Sequence, residues 1–399
     1  MKLTRSLPVQ PRRDAWVDIN LDALEHNVRA LRSTVPSSQA IMAIIKADAY
    51  GHGAVMCLPT LLGSGVDQLG VASLDEALQI RQSGFTDVPI LVVGPAPPWA
   101  LAEAVANHIA IAVYQQEQLT ALQELLTKQP PIQPYAIHIK VDTGMNRLGV
   151  PWQQATEFIQ QAQAIAGLEV LGIFSHLACG DDVAFSALQA QRFADVVNAL
   201  PIKPRWIHLA NTPGSLAIPP AQWESLGLHT NMARLGISLW GYTGLEYSGS
   251  LPLLKPVMAL RARVVQLHTV PAHEGISYGQ HLVSKADKAR LIATLPLGYA
   301  DGVPRGLSNR MHVSVRNQVI PQVGTITMDQ LMVDVTNVPD VQVGDTVTLL
   351  GSDVAATKDA PPATTLTDWS QTQSNPDYSV IEYELMCALR VRLPRLYSR

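Results

Sequence analysis

Cysteine is scarce in this 399-residue chain: it has only Cys57, Cys179 and Cys387, far apart and odd in number. They show neither a metal-ligand spacing nor a disulfide framework, which fits a reducing compartment. Charge is scarce too. Only 16% of the residues are charged, the net charge is −4, and neither sign forms a long run. That excludes the basic footprint of a nucleic-acid binder. Long apolar runs are missing, and none approaches the roughly 18 residues that a membrane helix needs. Met1 to Arg13 is basic but lacks an apolar stretch of signal-peptide length. A soluble cytoplasmic protein is expected, with no nucleic-acid or membrane partner and no metal.

What is present is apolar material. Hydrophobic residues make up 47% of the chain, enough for a large core, and the length suggests two domains. Short apolar strands are predicted at Trp16–Ile19, Ile41–Ile45, Leu69–Ala72, Ile90–Val93, Ile109–Val113, Ala136–Val141, Leu171–Ser175 and Trp206–Leu209. Helical spacing predicts helices between them at Leu21–Leu31, Leu74–Gln82, Gln115–Thr127, Trp152–Ala166 and Val183–Leu200. Eight such repeats predict an α/β fold, a (β/α)8 barrel over residues 1–254. After Leu254 the texture changes to alternating β segments punctuated by Pro271, Gly302 and Gly344. Residues 255–399 are therefore expected to form a second, mainly β domain. Inside it Ser352–Asp377 reads as a surface loop with a short helix near Thr367–Gln371, and no internal repeat is visible.

Chemistry concentrates at Lys46. An apolar strand ends there and a glycine-containing turn, Tyr50-Gly-His-Gly53, follows. In a barrel, strand C-termini face the active site. A lysine partly desolvated in that place favours its neutral amine, which can attack an aldehyde. The same pattern equally suits a lysine that snorkels out of a strand end.

The string Lys46-Ala-Asp-Ala-Tyr50-Gly-His-Gly53 resembles the signature of the bacterial alanine racemase family, a fold-type III group of pyridoxal-phosphate enzymes. The resemblance implies that Lys46 holds pyridoxal 5'-phosphate as a Schiff base and that Tyr50 binds its phosphate. Further segments resemble the family in the same order from Trp16 onward. In Lys140-Val-Asp-Thr-Gly-Met-Asn-Arg147, Arg147 is implied in cofactor and substrate-carboxylate contact, and Lys140 as a supporting residue open to carbamylation. In Phe174-Ser-His176, His176 is implied near the pyridine ring. In His208-Leu-Ala-Asn211-Thr212, His208 is implied to orient an arginine, Asn211 to line the site and Thr212 to bind phosphate, where the family usually has serine.

Arg234-Leu-Gly236-Ile237 resembles the arginine that faces the pyridine nitrogen, followed by backbone donors to the phosphate. An arginine there disfavours nitrogen protonation, so the cofactor stabilises a carbanion less strongly and side reactions are suppressed. In the β region, the resemblance implies Tyr278 as the second base, opposite Lys46. It also implies Tyr299, Met328 and Asp329 around the entrance and the substrate carboxylate, and Tyr383 at the phosphate.

His208 and Arg234 are expected to supply a positive setting that lowers the Tyr278 phenol. The implied activity is interconversion of L- and D-alanine, providing D-alanine for peptidoglycan precursors. The implied assembly is a homodimer with composite active sites, Tyr278, Tyr299, Met328 and Asp329 acting across the interface. Two rivals stay in view: another pyridoxal enzyme on this architecture, and a cofactor carrier built from a barrel alone. Arg234 argues against the decarboxylases of this architecture, and the region after Leu254 argues against the carrier.

Overall fold

Runs of Ile, Val, Leu and Ala without polar alternation are the mark of strands covered on both faces. The computed structural model describes residues 12–245, 251–279, 287–351, 365–375, 377–389 and 391–399. They fall into two units. One comprises Ala23–Ala49 and Gly53–Lys255. The other comprises the chain up to Asp22, Tyr50–His52 and Pro256–Arg399.

Strand β1 (Ala15–Asn20) opens the chain. The first unit then supplies β2 (Ala40–Ile44), β3 (Gln68–Val71), β4 (Ile90–Val92), β5 (Ala110–Val113), β6 (Tyr135–Asp142), the two-residue β7 (Val150–Pro151), β8 (Leu168–Phe174), β9 (Trp206–His208) and β10 (Met232–Leu235). Without β7, which only edges β6, the parallel order is β10-β2-β3-β4-β5-β6-β8-β9. The ends nearly close. The amides of Asn231 and Arg234 donate to the carbonyls of Ile207 (3.0 Å) and Ala210 (3.3 Å). Met42, Leu91, Ala112, Phe174 and Met232 pack into one buried cluster.

The helices between the strands bury apolar faces. Ala155, Ile159 and Ala162 do so on Trp152–Gln163, at the spacing of one helical stripe. Asn27 is a buried polar residue on Leu21–Thr34 with all its needs met. It donates to the carbonyls of Leu239 (3.0 Å) and Lys255 (2.7 Å) and accepts from the Lys255 amide at 2.7 Å. The (β/α)8-type barrel and the mainly β region after it are both present.

The strand count contains two errors that cancel. Trp16–Ile19 is not a barrel strand, and Met232–Leu235, which the sequence pattern omits, is one. In the second unit β1 pairs antiparallel with β11 (Met258–Arg263) and parallel with β18 (Arg395–Ser398). With β12 (Gln266–Val270), β13 (Arg290–Leu295), β14 (His312–Val315), β15 (Gln318–Val323), β16 (Leu331–Asp334) and β17 (Thr346–Leu350), these form one sheet. Its order is β12-β13-β16-β15-β14-β17-β11-β1-β18. Arg261 reaches across to Asp18 at 2.7 Å, a cross-strand ion pair.

The short helix expected near Thr367–Gln371 is Leu366–Gln373, started by Thr365 and Asp368 in a capping box. Residues 352–364 and 376 of the expected loop lie outside the described residues. A helix at Glu382–Ala388 is unannounced by the sequence pattern. Among the described residues no helix is long and apolar enough to cross a membrane.

Candidate active site

Lys46 follows β2 by two residues and is exposed in the single chain, not partly desolvated as the sequence suggests. The backbone after it is unusual. Ala47, Asp48, Ala49 and Tyr50 have φ of 53°, 52°, 56° and 53°. Left-handed backbone costs an L-residue roughly 1–2 kcal/mol, so four in succession survive only where neighbours hold them. The holders are identifiable. Glu76 accepts from the amides of Ala47 and Ala72, both at 2.7 Å, so one carboxylate ties the ends of β2 and β3 together. Asp48 accepts from the Ala54 amide at 2.7 Å. Glu76 is missing from the sequence-derived site. Its signal in the sequence is Ser73-Leu-Asp-Glu76, a capping-box pattern at the start of the expected helix Leu74–Gln82.

Arg234 is 4% exposed and stands on β10. Its guanidinium donates to the Ser175 carbonyl (2.7 Å), the Leu209 carbonyl (2.8 Å), His208 Nδ1 (3.1 Å) and His176 Nδ1 (3.3 Å). Nε has no acceptor among the described residues. Burial lowers the guanidinium to about 9, so it remains charged at neutral pH. Burial, then the Arg234 charge, holds His208 well below its ordinary value and His138 down to about 3. The same causes hold His176 down to about 2.

Guanidinium can only donate, so His208 Nδ1 accepts and its proton sits on Nε2. That proton points to His138 Nδ1 at 2.9 Å, which leaves the His138 proton on its own Nε2. The result is a proton-ordered chain that runs from the Arg234 cation through two neutral imidazoles, His208 and His138. His208 therefore carries no positive charge. The expectation that it helps create a positive setting is corrected; Arg234 alone is the cation. His138 was missed from sequence, although it shares a strand face with Lys140 two residues on.

Lys140 is buried, 5.5 Å over the Phe174 ring. Burial, then Arg147, Arg234 and Lys46, lowers its amine to about 8, against an opposing pull from Asp142. Arg147 is exposed and makes no ion pair among the described residues. It sits on the tight turn after β6, where Asp142 accepts from the amides of Gly144 (2.9 Å) and Asn146 (3.1 Å). Thr212 Oγ1 accepts from the Gly236 amide at 2.9 Å and lies 3.2 Å from Ser238 Oγ. One of the expected phosphate donors is thus turned onto a side chain. Asn211 caps the helix Thr212–Ala217 by accepting from the Gly214 amide at 3.1 Å, and Ile237 opens the short turn Ile237–Trp240.

The remaining candidates belong to the second unit. Tyr50 is buried, with its ring 5.9 Å from that of Tyr383. Burial pushes the Tyr50 phenol far up and the Tyr383 phenol to about 12, so both keep their O–H as donors. The Tyr50–His52 segment is fastened by Arg395 to the Gly51 carbonyl (2.9 Å) and by Tyr397 to the His52 carbonyl (3.1 Å).

Tyr278, Tyr299 and Met328 are exposed. Their loops are stitched together. Thr325 donates to the Tyr278 carbonyl at 2.8 Å, and the amides of Tyr299 and Ala300 donate to the carbonyls of Thr327 (3.0 Å) and Met328 (3.1 Å). Asp329 accepts from Arg392 at 2.6 Å. No cluster of metal-ligating side chains occurs among the described residues.

Comparison with known proteins agrees along the whole chain. Residues 19–244 match the family profile "Alanine racemase, N-terminal domain" and residues 257–397 match "Alanine racemase, C-terminal domain". A curated alanine racemase of Nostoc sp. is 37% identical over 388 residues, covering 96% of this chain and 95% of its own. An alanine racemase structure from E. faecalis superposes with a TM-score of 0.85 at 29% identity, covering 98% of this chain and all of the other. A histidine racemase structure from Leuconostoc mesenteroides also gives 0.85 at 29% identity, covering 98% and 99%.

Proposed function

The chain belongs to the alanine racemase family, and from that membership we propose that it interconverts L- and D-alanine with pyridoxal 5'-phosphate. The observation that carries the reading is Arg234: a buried guanidinium, four times anchored, that still presents an N–H without an acceptor. A pyridine nitrogen that stays unprotonated is the kind of acceptor it fits. The other donors suit the same cofactor. Tyr50, Tyr383 and Thr212 offer hydroxyls to a phosphate, with a main-chain donor at Ile237, while the Gly236 amide holds Thr212 Oγ1 in place. His176 and Asn211 border the ring. Lys46 provides an amine on a strained, fastened turn.

When bound, pyridoxal phosphate acidifies the Cα–H of an amino acid attached to it. The chain's own residues do the rest. Lys46 Nζ takes or returns the proton on one face, and Tyr278 Oη does so on the other. Arg147 positions the substrate carboxylate from its turn, and Lys140, with an amine lowered to about 8, is open to carbamylation beside it. The Asp329 carboxylate is held by Arg392 and would repel a second carboxylate, so the 327–330 segment meets substrate through its main chain and Met328. Tyr299 narrows the entrance.

The exposure of Tyr278, Tyr299 and Met328 supports a homodimer in which each β unit completes its partner's barrel. A barrel unit over 1–254 and a β unit over 255–399 describe the division of labour, with β1 lent to the latter. The product supplies D-alanine to peptidoglycan precursors in the cytoplasm. The deciding experiment incubates the cofactor-loaded protein with L-alanine in deuterium oxide and resolves the product by chirality. Deuterated D-alanine is expected. L-Histidine is run in parallel, and turnover of histidine with none of alanine would replace the substrate.

A further inference from the structure

The strands of the barrel are parallel, so the residues that begin β3, β4, β5, β6 and β9 lie at the end opposite Lys46. A cavity of about 320 Å³ opens there, lined among others by Gln68, Tyr135, His138, Leu171, Arg205 and Trp206. That volume falls in the range of small-molecule sites.

Two features set it apart from a packing defect. His138 is 1% exposed and Gln68 is 7% exposed; both line the cavity, and neither His138 Nε2 nor the Gln68 amide is held by another protein group among the described residues. Donors that open onto a cavity, and not onto packed side chains, are available to a ligand. The ring of His138 also has space reserved for it. A Cβ at Gly172, its neighbour across the β6–β8 ladder, would lie 2.3 Å from His138 Nδ1.

The chemistry of the lining narrows the ligand. The proton order along Arg234, His208 and His138 makes His138 Nε2 a donor, and the Gln68 amide is a second donor in the same lining. Ile90, Leu91, Val105 and Leu171 give the cavity apolar walls, with His108 and Gln133 also in its lining. Arg205 stacks 4.9 Å over Trp206, and no aspartate or glutamate lines the cavity. Donors within, a cation beside an aromatic ring and no acidic group exclude a metal ion and favour an anion with a compact apolar body. We propose that this face of the barrel binds a small monocarboxylate, whose oxygen accepts from His138 Nε2 and Gln68. Binding there polarises the chain through His208 to Arg234, since linked hydrogen bonds strengthen one another. Its consequence for turnover rests on the role given to Arg234 above; the binding itself does not.

Benzoate is the probe. Titration calorimetry on the cofactor-loaded enzyme, saturated with alanine to block the substrate site, should show one benzoate per chain. The His138 and His208 ring nitrogens in ¹⁵N-histidine-labelled enzyme should shift with the same midpoint. Gln68→Leu should weaken binding roughly tenfold, the worth of one hydrogen bond to a charged group, and leave racemisation without benzoate unchanged. Ala136→Leu, which fills the cavity from its wall, should abolish binding by a route independent of Gln68. No heat with the wild type, displacement of benzoate by alanine, or equal affinity in both variants would overturn the proposal. Benzoate binding in a protein that turns over no alanine would leave this site standing and remove the racemase reading instead.

Discussion

Arg234 and Tyr278 occupy opposite extremes of burial, 4% and 74% exposed. Around Arg234 nearly every polar group has a partner on another barrel strand, and the proton positions follow from that network. Around Tyr278 the backbone is fastened while the side chains stand in solvent. The barrel unit has its chemistry assembled within one chain; the β unit has its chemistry presented. A buried charged network is costly to disturb, because a partner removed leaves an unpaired group in low dielectric. An exposed loop residue can be changed with little effect on stability, so its cost appears in function.

The sharpest division should come from the two proposed proton carriers. Lys46→Ala should lower racemisation by roughly 10³-fold or more in both directions, and remove the visible absorbance of bound cofactor. Tyr278→Phe should retain that absorbance and cost about 10²–10⁴-fold, with solvent isotope effects that differ between the L-to-D and D-to-L directions. Equal, slight losses in both directions would dismiss Tyr278.

Mixing the two inactive variants tests whether the contrast runs between subunits. After dissociation and reassociation, a composite dimer should recover about a quarter of wild-type activity, since half the dimers carry one intact site. Sites contained within single chains would recover nothing.

Stability gives the next comparison. Gly172→Ala drives a methyl group into His138 and should cost about 1–3 kcal/mol in denaturant unfolding. Met328→Ala, on the exposed loops, should stay within about 0.5 kcal/mol. Similar costs for both would erase the distinction between assembled and presented chemistry.

The smallest effect concerns Lys140. Its amine is lowered from 10.5 to about 8, so the unfolded chain binds more protons between those values. Its contribution opposes folding below pH 8 and is relieved as pH rises toward 10.5. Lys140→Met should flatten that rise, with a gain on the order of 1 kcal/mol at neutral pH. An unchanged pH profile of unfolding would show that the amine is already modified or paired.

Much of this was legible locally. The Lys46 string, His176 just after β8, His208 at the end of β9 and the arginine before Gly236 each announce themselves. A residue that must meet a cofactor at a strand end needs a fixed neighbour pattern, and such patterns are short-range. The parallel strands were legible for a similar reason, since burial on both faces leaves an apolar run. Met232–Leu235 was not, because its Arg234 interrupts the run; only a barrel interior full of hydrogen-bond acceptors makes that arginine a strand residue. Trp16–Ile19 reads like a barrel strand because its own residues do not record which sheet it joins. Its partners, Met258–Arg263 and Arg395–Ser398, are hundreds of residues away.

The sequence by itself thus determined the family and the class of fold, and it named the side chains proposed for the chemistry, since those depend on residue type and near spacing. The tertiary structure alone decided the rest. It moved β1 into the second sheet, placed His138 at the end of a proton-ordered chain, and fastened the left-handed turn with Glu76. It also left Tyr278 and Tyr299 exposed. Each of these depends on groups far apart in sequence meeting in space, where burial and hydrogen bonding set charge, proton position and strain.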